Sequence, residues 1–294
     1  MPNPTLTARI ATLGGAFSYS HLAALQWAEK HARFTGVKCE IVLTDTIGDA
    51  FNMLTERKVD FAILPNENST VSRVADFTRC LAQINSLGPY AIDQLWLQIR
   101  ICLMAHPSIN FRNDVIQVLG RDEALRQCSE SLRTLGLTKT SSMSSNAAAA
   151  QLVLEHPDFK NAAIGPKELA EHHGLRILAH NIQDDKDGNW TQFTVFGYSQ
   201  TKPTGNDETL MLFEVKNVRG AHWWVETVLV WIGGSNLSSM HSIPKGKNAD
   251  GFVYEFQVQL SGHVRDRRIR LALWLIRRFF ATNVRVIGSF PASK

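Results

Sequence analysis

Two short polar clusters hold the residues of this chain that could do chemistry: Asn66-Glu67-Asn68-Ser69-Thr70 and Asn189-Trp190-Thr191-Gln192. The first follows an apolar, β-rich run, Phe61-Ala62-Ile63-Leu64, that ends at Pro65. A buried parallel strand reads this way where its carboxyl end meets a ligand cleft, the usual place for chemistry in open α/β sheets. A strand followed by a surface turn, with a helix N-cap at Ser69 or Thr70, would give the same letters. The second cluster also sits at the head of a β-type run, and the pair favours the cleft.

The elements that must position these clusters alternate in type. Strands at 10–13, 39–43 and 61–64 are separated by a glycine turn at Gly14-Gly15 and by helices at about 20–31 and 47–56. Such alternation means βαβ units and a parallel sheet. Residues 96–105 read as one long strand and 115–119 as another. Residues 124–135 read as a helix with Leu125, Cys128 and Leu132 on one face. Alanine and leucine propensity makes 147–154 a helix. Short strands at 162–164 and 177–179 flank a helix at 167–173 that Gly174 caps. A polar Pro/Gly stretch at 200–207 reads as a linker. After it, strand 209–215, helix 221–232, strands 237–242 and 252–260, helix 267–280 and strand 283–287 form a small βαββαβ domain.

At 294 residues the chain can build two or three domains with cores of their own. Its 44% hydrophobic and 20% charged content is that of an ordinary globular protein. Against 31 basic residues stand 27 acidic ones, and a net charge of +4 is too small for a strong field toward nucleic acid. The arginines between 265 and 278 share a helix with Ile269, Leu273, Ile276 and Phe280 at core spacing, so they read as a solvated face. Trp223, Trp224 and Trp231 read as core or as an interface between copies. The cysteines, Cys39, Cys80, Cys102 and Cys128, are scattered, which argues for reduced thiols and against a disulfide framework or structural zinc. The start of the chain has no signal-peptide pattern, and no stretch approaches the ~20 apolar residues of a membrane span. A cytoplasmic protein with neither membrane nor nucleic-acid partner is expected.

From residue 10 to Pro291 the chain resembles the prephenate dehydratase family with a C-terminal ACT domain. Residues 60–71 are similar to that family's strand and Pro-x-Glu-Asn-Ser/Thr segment. Leu13-Gly14 and the run Ser18-Tyr19-Ser20-His21-Leu22-Ala23-Ala24 resemble its first loop and helix. Ser144-Ser145-Asn146-Ala147-Ala148 is similar to a later helix start, and Ala162-Ala163-Ile164-Gly165 and Gly174-Leu175 to the strand and turn beyond. Asn189-x-Thr191-x-Phe193 stands where the family has Asn-x-Thr-Arg-Phe. Arg219-Gly220-Ala221 and Ser242-x-Pro244 stand at its phenylalanine-responsive segments.

The resemblance implies an α/β catalytic part over 1–199, two-lobed like periplasmic binding proteins, with lobes at about 9–90 plus 177–199 and at 91–176. A linker at 200–207 and an α+β ACT-like regulatory or assembly domain at 208–294 would follow. It implies a lyase that removes the carboxylate and the 4-hydroxyl of prephenate, giving phenylpyruvate for phenylalanine biosynthesis. No cofactor or metal is implied, since aromatisation supplies much of the driving force. Hydroxide leaves poorly from carbon, so a donor is needed, and Thr191 would fill that role. Asn189 and Asn68 would position it. Glu67 would be an orienting group or cleft wall, or else would face the dipole of a helix after Ser69. Ser69, Thr70, Gln192, Phe193, Arg121 and Ser145 would complete the substrate site, and Gly220, Ala221, Ser242 and Pro244 an amino-acid effector site. ACT domains bind amino acids between protomers, so a homodimer or homotetramer is implied.

Several positions depart from the family pattern. Gln192 replaces an arginine, and a glutamine cannot make a charged fork to a carboxylate. Losing one partner of such a pair costs ~2–5 kcal/mol. Gly120-Arg121-Asp122-Glu123 replaces Ser-His-Pro-Gln, Gly15, Ala16 and Phe17 replace Pro-x-Gly, and Arg100 and Ile101 stand where acidic and histidine residues are common. Three readings follow: Arg121 or Arg100 restores the charge, the chemistry has moved to a non-aromatising decarboxylation, or the chain is an inactive ligand-binding relative. Retention of Thr191 favours dehydration. His241-Ser242-Ile243-Pro244 replaces Glu-Ser-Arg-Pro, which would shift the last domain toward assembly.

Overall fold

The computed structural model describes residues 7–70, 72–85, 87–215, 221–248 and 251–293. The chain opens with β1 (Thr7–Leu13), α1 (Tyr19–Thr35), β2 (Lys38–Thr44), α2 (Ile47–Thr55), β3 (Phe61–Asn68), β4 (Ser72–Arg73), α3 (Ala75–Gln83) and β5 (Tyr90–Gln98). Strand β1 lies parallel to both β2 and β3, with Ile10 opposite Ile41 and Phe61. Local signals set the helix ends: Ser18 and Thr46 accept from His21 N and Asp49 N as N-caps, and Gly36 closes α1 at φ 74°.

A second sheet follows from β6 (Cys102–Ala105), β7 (Gln117–Gly120), β8 (Thr140–Ser142), β9 (Asn161–Gly165) and β10 (Arg176–Ala179), with helices α4 (Asp122–Arg126), α5 (Ser129–Thr134), α6 (Asn146–Glu155) and α7 (Lys167–His173). The chain then returns through β11 (Trp190–Gly197). The strand orders are β2-β1-β3-β11-β5, with β4 on β3, and β10-β6-β9-β7-β8. Two sheets joined by two crossings are the two-lobed architecture expected.

Four local expectations change. Residues 96–105 are two strands in different sheets, because the Ile99 and Ile101 N–H groups go to Asn189 O (2.8 Å) and Gln183 Oε1 (2.9 Å). The crossings therefore fall at 99–101 and after Ala179, later than 90 and 177. Residues 124–135 break into α4 and α5. Asp184, distant in sequence, accepts from the N–H groups of Glu130 (3.1 Å) and Ser131 (2.8 Å) and donates its own to Gln127 O (2.7 Å). Neither Ser69 nor Thr70 caps a helix: β3 continues to Asn68 and turns back into β4, with Glu67 opposite Arg73. Pro65 is tolerated inside β3 because pairing with β1 ends at Ile63.

A separate compact unit comprises Arg79–Gln94 and Thr194–Lys294. Its βαββαβ order is β12 (Asp207–Val215), α8 (Ala221–Thr227), β13 (Leu237–Asn248), β14 (Gly251–Ser261), α9 (Arg267–Leu275) and β15 (Ala281–Pro291). A wide turn of helix extends α8 to Ile232 and α9 to Phe280. The sheet order is β13-β14-β12-β15, an ACT-like α+β domain. Phe213, Val225, Leu229, Val258, Ile269 and Leu273 fill its core. Trp223, Trp224 and Trp231 do not: they are 59%, 44% and 81% exposed, since Val225, Val228 and Leu229 take the inward positions. Among the described residues no helix is long and apolar enough to cross a membrane.

Residues 79–94 join this unit through contacts the sequence does not signal. Arg285 donates to Ala82 O and Ile84 O (both 3.1 Å), where α3 ends, and to the buried Glu255 carboxylate (2.7 Å). Gln94 and Gln259 exchange amide hydrogen bonds at 3.2 and 2.9 Å. Among the described residues, Arg285→Met would leave Glu255 with only Lys245, 3.5 Å away. Breaking one side of a buried pair costs roughly 3 kcal/mol. Guanidinium unfolding should therefore show a loss of that order, partly recovered in the Arg285→Met, Glu255→Gln double variant. A loss no larger than that of an exposed pair would show that this contact does not hold residues 79–94 in place.

Candidate active site

The site is built on the far end of β3. The Thr70 N–H donates to Asn68 Oδ1 (2.9 Å), an Asx turn that fixes which way the carboxamide faces. Asn68 Nδ2 must then point toward the head of β11, where it donates to Asn189 Oδ1 (3.0 Å) and Thr191 Oγ1 (2.9 Å). Two residues earlier, Asn66 Nδ2 donates to Gln192 Oε1 (2.8 Å). All five side chains are buried. The two polar clusters thus form one network. Ser69 laces the segments together: its N–H donates to Trp190 O (2.9 Å), and its hydroxyl donates to Gly188 O while accepting from Trp190 N (2.8 Å).

This arrangement leaves Thr191 with a specific capability. Its oxygen already accepts from Asn68, so its own hydrogen is available to a further acceptor. Asn189 joins the lobes, because its backbone oxygen accepts from Ile99 N (2.8 Å) and its Nδ2 donates to Gln127 Oε1 (3.2 Å) between α4 and α5.

The second lobe presents the start of α6. Ser145 caps it, accepting from Ala148 N (3.0 Å), and Asn146 Oδ1 accepts from Arg121 N (2.8 Å). Gly15 of the first lobe comes close: a Cβ there would sit 3.5 Å from Ala147 Cβ. The loop after Gly15 is held by an unusual bond. Phe17, at φ 57°, donates its N–H to His21 Nδ1 (2.8 Å), and burial pushes the His21 imidazole below its ordinary pKa of 6.5.

Of the residues expected at the site, Asn68, Asn189, Thr191 and Gln192 come together. Asn66, part of the first polar cluster but given no role of its own, joins them, and Gln127 was not anticipated. Asn66 could have been found from its period-2 spacing to Asn68, whereas Gln127 carries no sequence signal. Ser69 and Ser145 use their hydroxyls for lacing and capping, and Phe193, 1% exposed, is a core residue. Glu67 is partly exposed on the β3–β4 turn and Thr70 is exposed. The exposed Arg121 guanidinium makes no hydrogen bond or ion pair among the described residues, while that of Arg100 rests on neutral Gln98 Oε1 (3.0 and 2.8 Å). Gly220 lies outside the described residues and Ala221 opens α8. Ser242 and Pro244 are exposed on β13, opposite Phe256 and Tyr254, at a sheet edge that suits proline.

Two α/β lobes with a buried polar network where neighbouring strands β3 and β11 meet, and an ACT-like domain after them in the chain, are the fold and site of a small-molecule enzyme. A family model described as prephenate dehydratase matches residues 10–201. The bifunctional chorismate mutase/prephenate dehydratase of Aquifex aeolicus (strain VF5) is 31% identical over 285 residues, 96% of this chain and 73% of that protein. Arogenate dehydratase/prephenate dehydratase 2, chloroplastic, of Arabidopsis thaliana is 30% identical over 274 residues, 90% of this chain and 70% of that protein. The structure of prephenate dehydratase from Arthrobacter aurescens in complex with L-Phe shares the fold, at TM-score 0.83 and 23% identity over 97% of this chain and 90% of that one. The chain belongs to the prephenate dehydratase family.

The His21 contact makes a pH prediction. The folded imidazole binds a proton less readily than the unfolded one, so its contribution is intact above pH 6.5 and falls as pH drops below it. Protonation also removes the acceptor for Phe17 N–H. Thermal midpoints should fall more steeply from pH 7 to 5.5 in the native chain than in His21→Asn, whose carboxamide oxygen can still accept. Parallel profiles would show that the loop is held by other means.

Proposed function

We propose that the chain is a lyase that converts prephenate to phenylpyruvate, carbon dioxide and water, a step of phenylalanine biosynthesis. The bond to the ring carboxylate breaks, its electron pair completes the aromatic ring, and the C4–O bond breaks with it. The departing oxygen then needs a proton. The observation that carries this reading is the Asn68–Thr191 hydrogen bond of 2.9 Å, which occupies the hydroxyl oxygen as acceptor, so that its hydrogen can be given to a ligand. An alcohol is about as acidic as water, so sharing a proton with nascent hydroxide is close to balanced.

Prephenate is a dianion, and its carboxylates need donors. With a neutral Gln192, the support comes from the N-terminal end of α6 at Ser145 and from two exposed cations, Arg100 and Arg121. Arg100 is the better placed by sequence, one residue beyond Ile99, whose N–H meets Asn189 O. Glu67 and Thr70 form the rim, and Ser69 and Phe193 hold the strands in place. The Arthrobacter aurescens relative bears L-Phe, and an amino-acid effector at Gly220, Ala221, Ser242 and Pro244, in a cytoplasmic homo-oligomer, is the corresponding proposal for this chain.

Thr191→Val should lower kcat by roughly 10²–10⁴ with KM little changed, and Thr191→Ser should restore most of it. Full turnover by the valine variant would remove Thr191 from the mechanism. Mass analysis of the product distinguishes aromatisation from a decarboxylation that keeps the hydroxyl, since the latter product is heavier by one water. Arg100→Ala and Arg121→Ala assayed side by side identify the carboxylate partner as whichever raises KM roughly tenfold or more. No change in either would leave the α6 terminus as the carboxylate-binding element.

A further inference from the structure

We propose that the C-terminal unit binds a small oxo-acid carboxylate in a cavity separate from its effector segments. The cavity, about 220 Å³, is bordered by Gln200, Thr201, His263, Val264, Arg277 and Val286, all within that unit. His263 is 2% exposed, and its Nδ1 accepts from Arg265 N (3.1 Å), which places the ring hydrogen on Nε2. That Nε2–H is buried and has no partner among the described residues. A buried donor left unmade is costly, and a ligand acceptor in the cavity would satisfy it.

The remaining wall groups narrow the ligand. Ser289 Oγ accepts from Val264 N (3.0 Å) and pairs with Thr209 (2.8 Å), and the Thr201 hydroxyl donates to Ser289 O. Those hydroxyl hydrogens are engaged. Arg277 borders the same cavity and forms no ion pair among the described residues. A cation and an unmade N–H beside valines fit a carboxylate with a short apolar body. Among the described residues no Asp or Glu borders the cavity, so a zwitterionic amino acid would leave its ammonium without a carboxylate partner. An oxo acid carries no such group.

The cavity is not the effector segment. Ser289 pairs with Thr209 near the start of β12, whereas Gly220 and Ala221 follow its other end. The stretch from Thr209 to Val215 alone spans roughly 20 Å at ~3.3 Å per residue.

The test is calorimetric titration of the full chain with phenylpyruvate and with L-phenylalanine, repeated on Arg277→Gln, His263→Phe and Thr191→Val. Phenylpyruvate should show a saturable event that Arg277→Gln, an exposed substitution with no packing cost, weakens roughly tenfold or more. His263→Phe should weaken it as well. Thr191→Val, which tests the catalytic reading, should leave that event in place, so the two proposals fail independently. Absence of the event, an unchanged affinity in Arg277→Gln, or equal binding of L-phenylalanine at this site would each overturn the assignment.

Discussion

The Asn68 carboxamide is the constraint on which the site depends. Its oxygen is committed to Thr70 N, which forces its nitrogen toward Asn189 and Thr191. A carboxamide without that backbone anchor could turn over and present an oxygen to Thr191, which would then have to donate to it. The hydroxyl hydrogen would be lost to the protein instead of being presented to a ligand. A backbone turn of two residues thus sets the polarity of the one hydroxyl that the proposed chemistry needs. The same logic explains Gln192. In a buried site a guanidinium would be costly until substrate arrived, while the glutamine oxygen is matched by Asn66.

Asn189 carries this local order across the molecule's catalytic part. It accepts from Asn68 in the first lobe, donates to Gln127 in the second, and takes Ile99 N–H from the other crossing segment. Neither crossing belongs to a sheet over Ile99 to Ile101, so the lobes are joined by isolated hydrogen bonds and not by a ladder. Hinges are made of few residues that can absorb backbone rotation, and one residue between these lobes, Asn189, already belongs to the polar network.

Local pattern made the alternation of β and α, the closing βαββαβ unit and both polar clusters legible, because each is written in contiguous residues. What escaped the sequence was set by partners far away. Ile99 and Ile101 keep a β-type pattern, and nothing local says that the strands on either side of them join different sheets. The helix at 124–135 is interrupted by a carboxylate at 184, and residues 79–94 are claimed by an arginine at 285. For the tryptophans of α8, core or an interface between copies were both open, and the core alternative falls because Val225, Val228 and Leu229 already fill the inward positions. The pairing of Asn66 with Gln192 was within reach, since it follows from the two-residue period of β3.

On the proposed reaction, holding the dianion by exposed Arg100 and Arg121 in place of a charge at the position of Gln192 would have unequal consequences for binding and for rate. A pair at 4 Å is worth about 1 kcal/mol in bulk water against about 4 at the effective dielectric near a protein surface, so exposed cations hold a dianion less firmly than an enclosed guanidinium would. On the proposed reaction, however, the side-chain carboxylate of the substrate keeps its full charge from ground state to transition state. Weaker contact there raises KM and leaves the barrier alone, because only interactions that strengthen along the reaction lower it. The Thr191 donor is of the second kind: it gains strength only as the C–O bond lengthens and charge gathers on the departing oxygen. A chain that gives up the arginine and keeps the threonine therefore sacrifices affinity before it sacrifices turnover.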